Sequence, residues 1–230
     1  MNAGIQVFND NQILQIDADY RNARFAFSGT ATTTAVGSTS YYANIALDAN
    51  TSTAVECPMV LIRPSLDNQY VGGCFVNSPH GAVGSFPARP NGAVQLWGQC
   101  PFDWAILSTR IGMGSGGSAF GFDVFDAAGN LVFASGYSQL RITETFDDLD
   151  SIWPKTFPLT KGQSNPWIWA NPLLGISGGT YDEQFPGIVM RFNSGRTALT
   201  VNVVDLITMG ALSGGNPFAG TRRLFGTAAY

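Results

Sequence analysis

Charge is scarce in this sequence. Asp, Glu, Lys and Arg make up 12% of its 230 residues, about half the usual share of roughly 25% in soluble domains. Lysine occurs twice, at Lys155 and Lys161, and the other ten cations are arginines. The net charge is −4, and Arg222-Arg223 is the one adjacent basic pair. A nucleic-acid footprint needs clustered cations that displace counterions, so nucleic acid is not an expected partner. A chain this poor in charge either hides much of its surface in an assembly or presents a neutral surface of Ser, Thr and Asn.

Histidine is scarcer still. His80 stands alone between Pro79 and Gly81, which excludes a multi-histidine metal centre. It reads as a solvated loop side chain, with a place on a partner surface as the functional alternative. Stretches of 18 apolar residues are missing, so no membrane-spanning helix is expected. The N-terminus, MNAGIQVFNDN, has no basic start and no apolar core, so no secretion signal is expected. Glu and Lys, which favour helices, are rare. Val, Ile, Thr, Phe and Tyr are common beside 27 glycines, a composition of strands and turns. The three cysteines, Cys57, Cys74 and Cys100, are odd in number and fit no zinc spacing. They read as buried free thiols, with a Cys57–Cys74 bridge as the alternative.

What the chain does have is a repeated stretch. Residues 121–142 read GFDVFDAAGNLVFASGYSQLRI. Phe122, Val124, Leu131 and Phe133 alternate with smaller or polar neighbours, the period of a half-buried hairpin. Gly129 and Asn130 suit the turn. Residues 4–25 align with this stretch without gaps at an offset of 117. Gly4, Val7, Phe8, Leu14, Tyr20 and Arg24 fall on Gly121, Val124, Phe125, Leu131, Tyr137 and Arg141. Two further matches follow in the same order. Tyr42-Ala43-Asn44 resembles Trp169-Ala170-Asn171, and the apolar run from Pro58 to Arg63 resembles that from Pro186 to Arg191.

These matches predict an all-β chain of two related β-sandwich-like halves from tandem duplication, with one merged β domain as the alternative. The halves are residues 1–111 and 119–230, joined by the Gly/Ser linker 112–118, GMGSGGS. Strands are expected at 59–62, 69–76, 93–97, 102–111, 187–192 and 199–209. Residues 144–150 are expected to form one helical turn. The second half carries a Trp/Pro-rich insertion, 151–172, expected as an ordered, proline-stiffened loop. Residues 78–92 read as a Pro/Gly-rich loop. The Gly-rich tail carries Phe218, Leu224, Phe225 and Tyr230, so it is expected to dock on its own domain or on a partner.

Candidate chemistry is thin. Gly112 to Gly117 matches GxGxxG, but a strand is expected after it, where the dinucleotide site needs a helix N-terminus. Asp147, Asp148 and Asp150 offer paired carboxylates, which glycoside hydrolysis uses across a sugar cleft; a solvated acidic turn is the plainer reading. Asn9, Asp10, Asn11, Asp17 and Asp19 are explained by turn chemistry and match no calcium loop. Trp153, Trp167 and Trp169, with His80, are the candidate ligand or partner surface, since aromatic surfaces with few charges suit sugars. Arg63 and Arg191, like Arg24 and Arg141, read as structural, each forking to carbonyls or a carboxylate at a sheet rim. No cofactor and no metal are expected, and no catalytic residue is assigned.

The hairpin resembles a family of minor tail and tail-tip proteins of tailed bacteriophages, whose hairpin follows a G-[LIF]-x-V-[FY]-[DN]-x-x-G-x-L-x-[FI]-D pattern and occurs twice in several members. Here Gln12 replaces the turn glycine in the first copy and Ala134 replaces the aspartate in the second. Residues 146–185 have no counterpart. The resemblance implies a non-enzymatic structural virion protein at the tail tip or baseplate, made in the bacterial host cytoplasm. It implies contacts with other tail or baseplate proteins and host attachment through a surface glycan or receptor, and the repeat adds the expectation of a homo-oligomer (trimer or hexamer). A receptor- or glycan-binding module of a tail fibre, head fibre or capsid decoration is the alternative.

Overall fold

Alternating burial sets the architecture. In the run Met59-Val60-Leu61-Ile62-Arg63-Pro64, Val60 and Ile62 point one way and Met59, Leu61 and Arg63 the other, the period of a strand. The computed structural model describes residues 6–8, 14–17, 23–32, 40–53, 56–77, 91–109, 123–126, 129, 131–134, 140–148, 153–162, 164–171, 186–212 and 223–229. Among these all regular structure is β. The first half holds β1 (Gln6–Phe8), β2 (Leu14–Asp17), β3 (Arg24–Ala31), β4 (Tyr41–Ala46), β5 (Met59–Pro64), β6 (Val71–Asn77), β7 (Ala93–Gly98) and β8 (Phe102–Ser108). The second holds β9 (Asp123–Phe125), β10 (Leu131–Ala134), β11 (Arg141–Asp148), β12 (Lys155–Pro158), β13 (Trp167–Trp169), β14 (Pro186–Phe192), β15 (Ala198–Asp205) and β16 (Arg223–Ala229).

Two six-stranded antiparallel sheets result. Sheet 1 has the order β11-β16-β13-β5-β8-β3 and sheet 2 the order β12-β15-β14-β6-β7-β4. Each sheet takes three strands from each half, joined at two seams, β13·β5 and β14·β6. From its edge inward, the first half runs β3, β8, β5 and β4, β7, β6. The second runs β11, β16, β13 and β12, β15, β14, the same order eight strands later.

The hairpins repeat to the residue. Gln6↔Asp17, Val7↔Ile16 and Phe8↔Leu14 in β1·β2 become Asp123↔Ala134, Val124↔Phe133 and Phe125↔Leu131 in β9·β10. The bulge where β3 meets β8, between Phe25 and Phe27, recurs where β11 meets β16, between Ile142 and Glu144. Ala23 and Leu140, 117 apart, touch each other: the Leu140 N–H donates to the Ala23 carbonyl at 2.9 Å.

The main core lies between the sheets. Val60, Ile62, Phe102, Ile106, Ile168 and Phe225 of sheet 1 pack in one cluster with Val71, Val94, Leu96, Ile188, Met190 and Phe192 of sheet 2. Burying each such side chain contributes about 1.5–3 kcal/mol before entropy is counted. A smaller cluster around Leu61, Leu107 and Trp167 sits on the opposite face of sheet 1, and another around Trp97, Val189 and Leu206 on the opposite face of sheet 2.

Three local expectations change. Residues 144–148 belong to strand β11, not to a helical turn, because pairing with β16 overrides their acidic composition. The 151–172 insertion contains β12 and β13. Pro154 precedes the first, Pro158 ends it and Pro166 precedes the second, positions where a missing N–H costs the ladder little. Part of the tail is strand β16, between β11 and β13, so it docks on its own domain. The linker 112–118 and most of the 78–92 loop lie outside the described residues.

Candidate functional site

The seam in sheet 1 gathers three of the expected site residues. Register sets Thr30 opposite Asp103 and Asp103 opposite Arg63. Trp167 follows on β13, so the row crosses four strands. The Thr30 hydroxyl donates to Asp103 Oδ1 at 2.9 Å, and Arg63 Nη2 donates to Asp103 Oδ2 at 2.8 Å. The guanidinium lies 4.2 Å from the Trp167 ring centroid, within cation–π range. The Arg63 and Asp103 side chains keep 25% and 39% of their surface, so the row is open to a partner. Trp169 lies one row below, opposite Leu61. Its indole N–H donates to Asn171 Oδ1 at 3.0 Å, and the Val60 N–H donates to the same oxygen at 2.7 Å.

Chemically this row can offer a guanidinium and a carboxylate to a polar group, with the buried Trp167 beneath Arg63. Its carboxylate already accepts from a guanidinium and a hydroxyl. Trp153 is elsewhere. It packs against the core between the sheets, 6.3 Å from Phe225, and lines a cleft of about 390 Å³ with Tyr70, Asn202 and Met209. His80 lies outside the described residues, as do Gly4, Gly121, Tyr20 and Tyr137.

Arg24 and Arg141 occupy the same place in the strand order, the first residue of β3 and of β11. Arg24 is fully buried and Arg141 is exposed. Arg63 and Arg191 are not equivalent: β5 lies in sheet 1 and β14 in sheet 2. Nor are β4 and β13, which carry the other matched run. Arg191 still mirrors Arg63 in chemistry. It lies 4.6 Å over the Tyr70 ring across the β14·β6 seam. Each seam thus carries one arginine over an aromatic from the other half.

Other polar links were not visible in the sequence. Glu56 accepts from the Thr109 hydroxyl at 2.5 Å, from the Thr109 N–H at 3.1 Å and from the Ser108 hydroxyl. Arg196 bonds Asp67, Pro64 and Asn165. Their partners lie 31 to 132 residues away in sequence, and no local pattern announces such pairs.

The cysteines are free. Cys74 and Cys100 are buried, as expected, whereas Cys57 is exposed. Burial holds the Cys74 thiol far above its ordinary pKa. The Cys57 thiol is raised by partial burial foremost; the Asn171 amide lowers it and the Glu56 charge adds to the rise. Among the described residues no group of three metal-ligating side chains occurs, and no helix is long and apolar enough to cross a membrane.

Comparison with family models, curated proteins and solved structures finds no match for this chain.

Proposed function

We propose that this chain is a structural virion protein of a tailed bacteriophage, a tail-tip or baseplate component that binds its neighbours by packing rather than by chemistry. The observation that carries this reading is the hairpin repeated register for register at offset 117, the feature on which the resemblance to phage tail proteins rests. Tandem duplication of a unit of about eight strands is part of the proposal, and the repeated strand order and bulge support it. A chain of two like halves offers six similar units as a trimer, which suits the junction of a six-fold tail tube with three-fold fibres. The protein is synthesised in the host cytoplasm and ends in the virion.

Host attachment is the second reading, favoured by the half-open Arg63–Asp103 row on Trp167. A partly exposed guanidinium and carboxylate, held over a buried indole, suit the hydroxyls of a glycan.

Immunogold electron microscopy on phage particles, with antibody to the purified protein, tests the proposal. Label at the distal tail is expected. Label on the head moves the role to capsid decoration, and absence of label from intact and disrupted particles overturns the virion reading. Loss of cell adsorption in an Arg63→Ala phage with normal particle yield supports attachment, and unchanged adsorption removes it.

A further inference from the structure

The four outer strands of the sandwich are β3, β4, β11 and β12, and they end the sheets differently. β12 is four residues long, carries Lys155, follows Pro154 and ends on Pro158, the usual protection of an exposed edge. β4 has no charge, and the only charge in β3 is the buried Arg24. β11, Arg-Ile-Thr-Glu-Thr-Phe-Asp-Asp, is eight residues long, contains neither proline nor lysine, and is charged at both ends with opposite signs. Arg141, Ile142, Thr145 and Asp147 are exposed along it.

A cleft of about 480 Å³ follows this strand. Its wall includes the five consecutive residues from Ile142 to Phe146, facing Pro158, Thr160 and Lys161. Successive strand residues point to opposite faces, so a cleft lined by all five runs along the backbone edge that no described strand pairs with. Glu144 fixes the facing wall. Its Oε1 accepts from the Thr160 N–H at 2.7 Å, the Thr160 hydroxyl at 3.1 Å and the Lys161 N–H.

We propose that β11 of a second copy of this chain fills this cleft, pairing antiparallel with β11 and joining two sandwiches through a continuous sheet. Charge selects the occupant and its direction. Arg141 begins the strand, and Asp147 and Asp148 close it at the other end. With one residue taken up by the bulge after Ile142, an antiparallel pair centred on Thr145 sets Arg141 opposite Asp148 and Ile142 opposite Asp147. Thr145 meets its own copy on the two-fold axis. The chain already joins like halves this way at β13·β5 and β14·β6, edge to edge and antiparallel. β3 offers no charges to complement β11, so the contact is self-complementary. The proposal does not depend on where the protein resides.

Sedimentation velocity of the full-length chain, from about 1 to about 100 µM, tests it. The wild type is expected to associate in steps of two. Arg141→Asp, and separately Asp147→Arg with Asp148→Arg, should each weaken the dimer by about 30-fold or more, since each sets like charges together twice per interface. Mixing these two variants should restore a dimer, because their strands are complementary again. Thr145→Arg, at an exposed site, should give a monomer with an unchanged far-ultraviolet spectrum and thermal transition. A wild-type monomer throughout the range, an Arg141→Asp chain that associates as the wild type does, or a mixture that stays monomeric overturns the proposal.

Discussion

Replacing Arg196 tests how the two halves are held together. Its Nε donates to Asp67 Oδ1 at 2.9 Å and its Nη2 to the Pro64 carbonyl at 3.0 Å, while Nη1 meets Asn165. The guanidinium lies 5.3 Å from the Phe192 ring centroid. It thus ties the turn after β5 to the turn between β14 and β15, next to the bond from the Asn68 N–H to the Phe192 carbonyl. A buried charge-assisted hydrogen bond contributes about 1.5–3 kcal/mol. The Asp67 side chain is 35% exposed and also accepts from the Gly195 N–H, so solvent screening brings the ion pair down to about 1 kcal/mol. The Pro64 carbonyl adds about 1 kcal/mol and the ring contact about 0.5 kcal/mol. Arg196→Ala should therefore cost roughly 2–3 kcal/mol. The backbone supplies a second handle. Arg196 has φ 53°, which costs a residue with a Cβ about 1–2 kcal/mol. Arg196→Gly should thus cost about 1 kcal/mol less than Arg196→Ala, although both remove the same contacts. Urea unfolding followed by tryptophan fluorescence reads both from the midpoint at constant slope. A loss under about 0.5 kcal/mol for the alanine variant, or a glycine variant less stable than the alanine one, refutes the reasoning.

Three further outcomes are expected. A Cβ on Gly187 would stand 2.5 Å from Leu206, which is fully buried, so Gly187→Ala should cost about 1–3 kcal/mol in thermal unfolding and under about 1 kcal/mol in a Leu206→Ala background. In the native protein Ellman's reagent should titrate one thiol of the three, Cys57, slowly at neutral pH because its thiol is raised; three fast thiols without denaturant would contradict the packing. Burial raises the Cys74 thiol in the folded state, so the folded chain keeps a proton that the unfolded chain releases near pH 8.5. Stability should then hold below that pH and fall by about 1.4 kcal/mol per unit above it, a slope that Cys74→Ala should remove and that chemical denaturation at several pH values would measure.

The repeat was legible where it is local and gapless. β1 to β3 and β9 to β11 share one offset of 117, and hairpin register follows from turn geometry within a few residues. Beyond the hairpins the matches misled. The Pro…Arg run in β5 resembles that in β14 because both are apolar central strands bordered by an arginine, a similarity of burial that does not identify which sheet each enters. The strand that answers to β5 is β13, whose Trp-Ile-Trp shares no residue with Met-Val-Leu. Proline density hid β12 and β13, since single-sequence reading counts a proline against a strand without knowing whether it falls at an end. Of the surface row, Trp167 and Arg63 were visible as types but not as neighbours: Asp103, which completes it, stands 40 residues from Arg63.

Poverty of charge and the architecture have a common logic. The described carboxylates serve mainly as internal acceptors. Asp48 and Asp205 cap their own turns through backbone N–H groups, Glu56 and Glu144 hold loops to strand ends, and Asp67 and Asp103 each take one arginine. Two of the arginines, Arg63 and Arg191, lie over aromatics across the seams. A charge fixed by short contacts to its own chain has little capacity left to attract or repel a neighbour at a distance. Ser, Thr and Asn are frequent among the exposed described residues, and they neither drive association nor oppose it. Against that background Arg141 and Asp147 are exposed on β11, which ends sheet 1 among the described residues, and a long edge without proline or lysine is a template for a further strand.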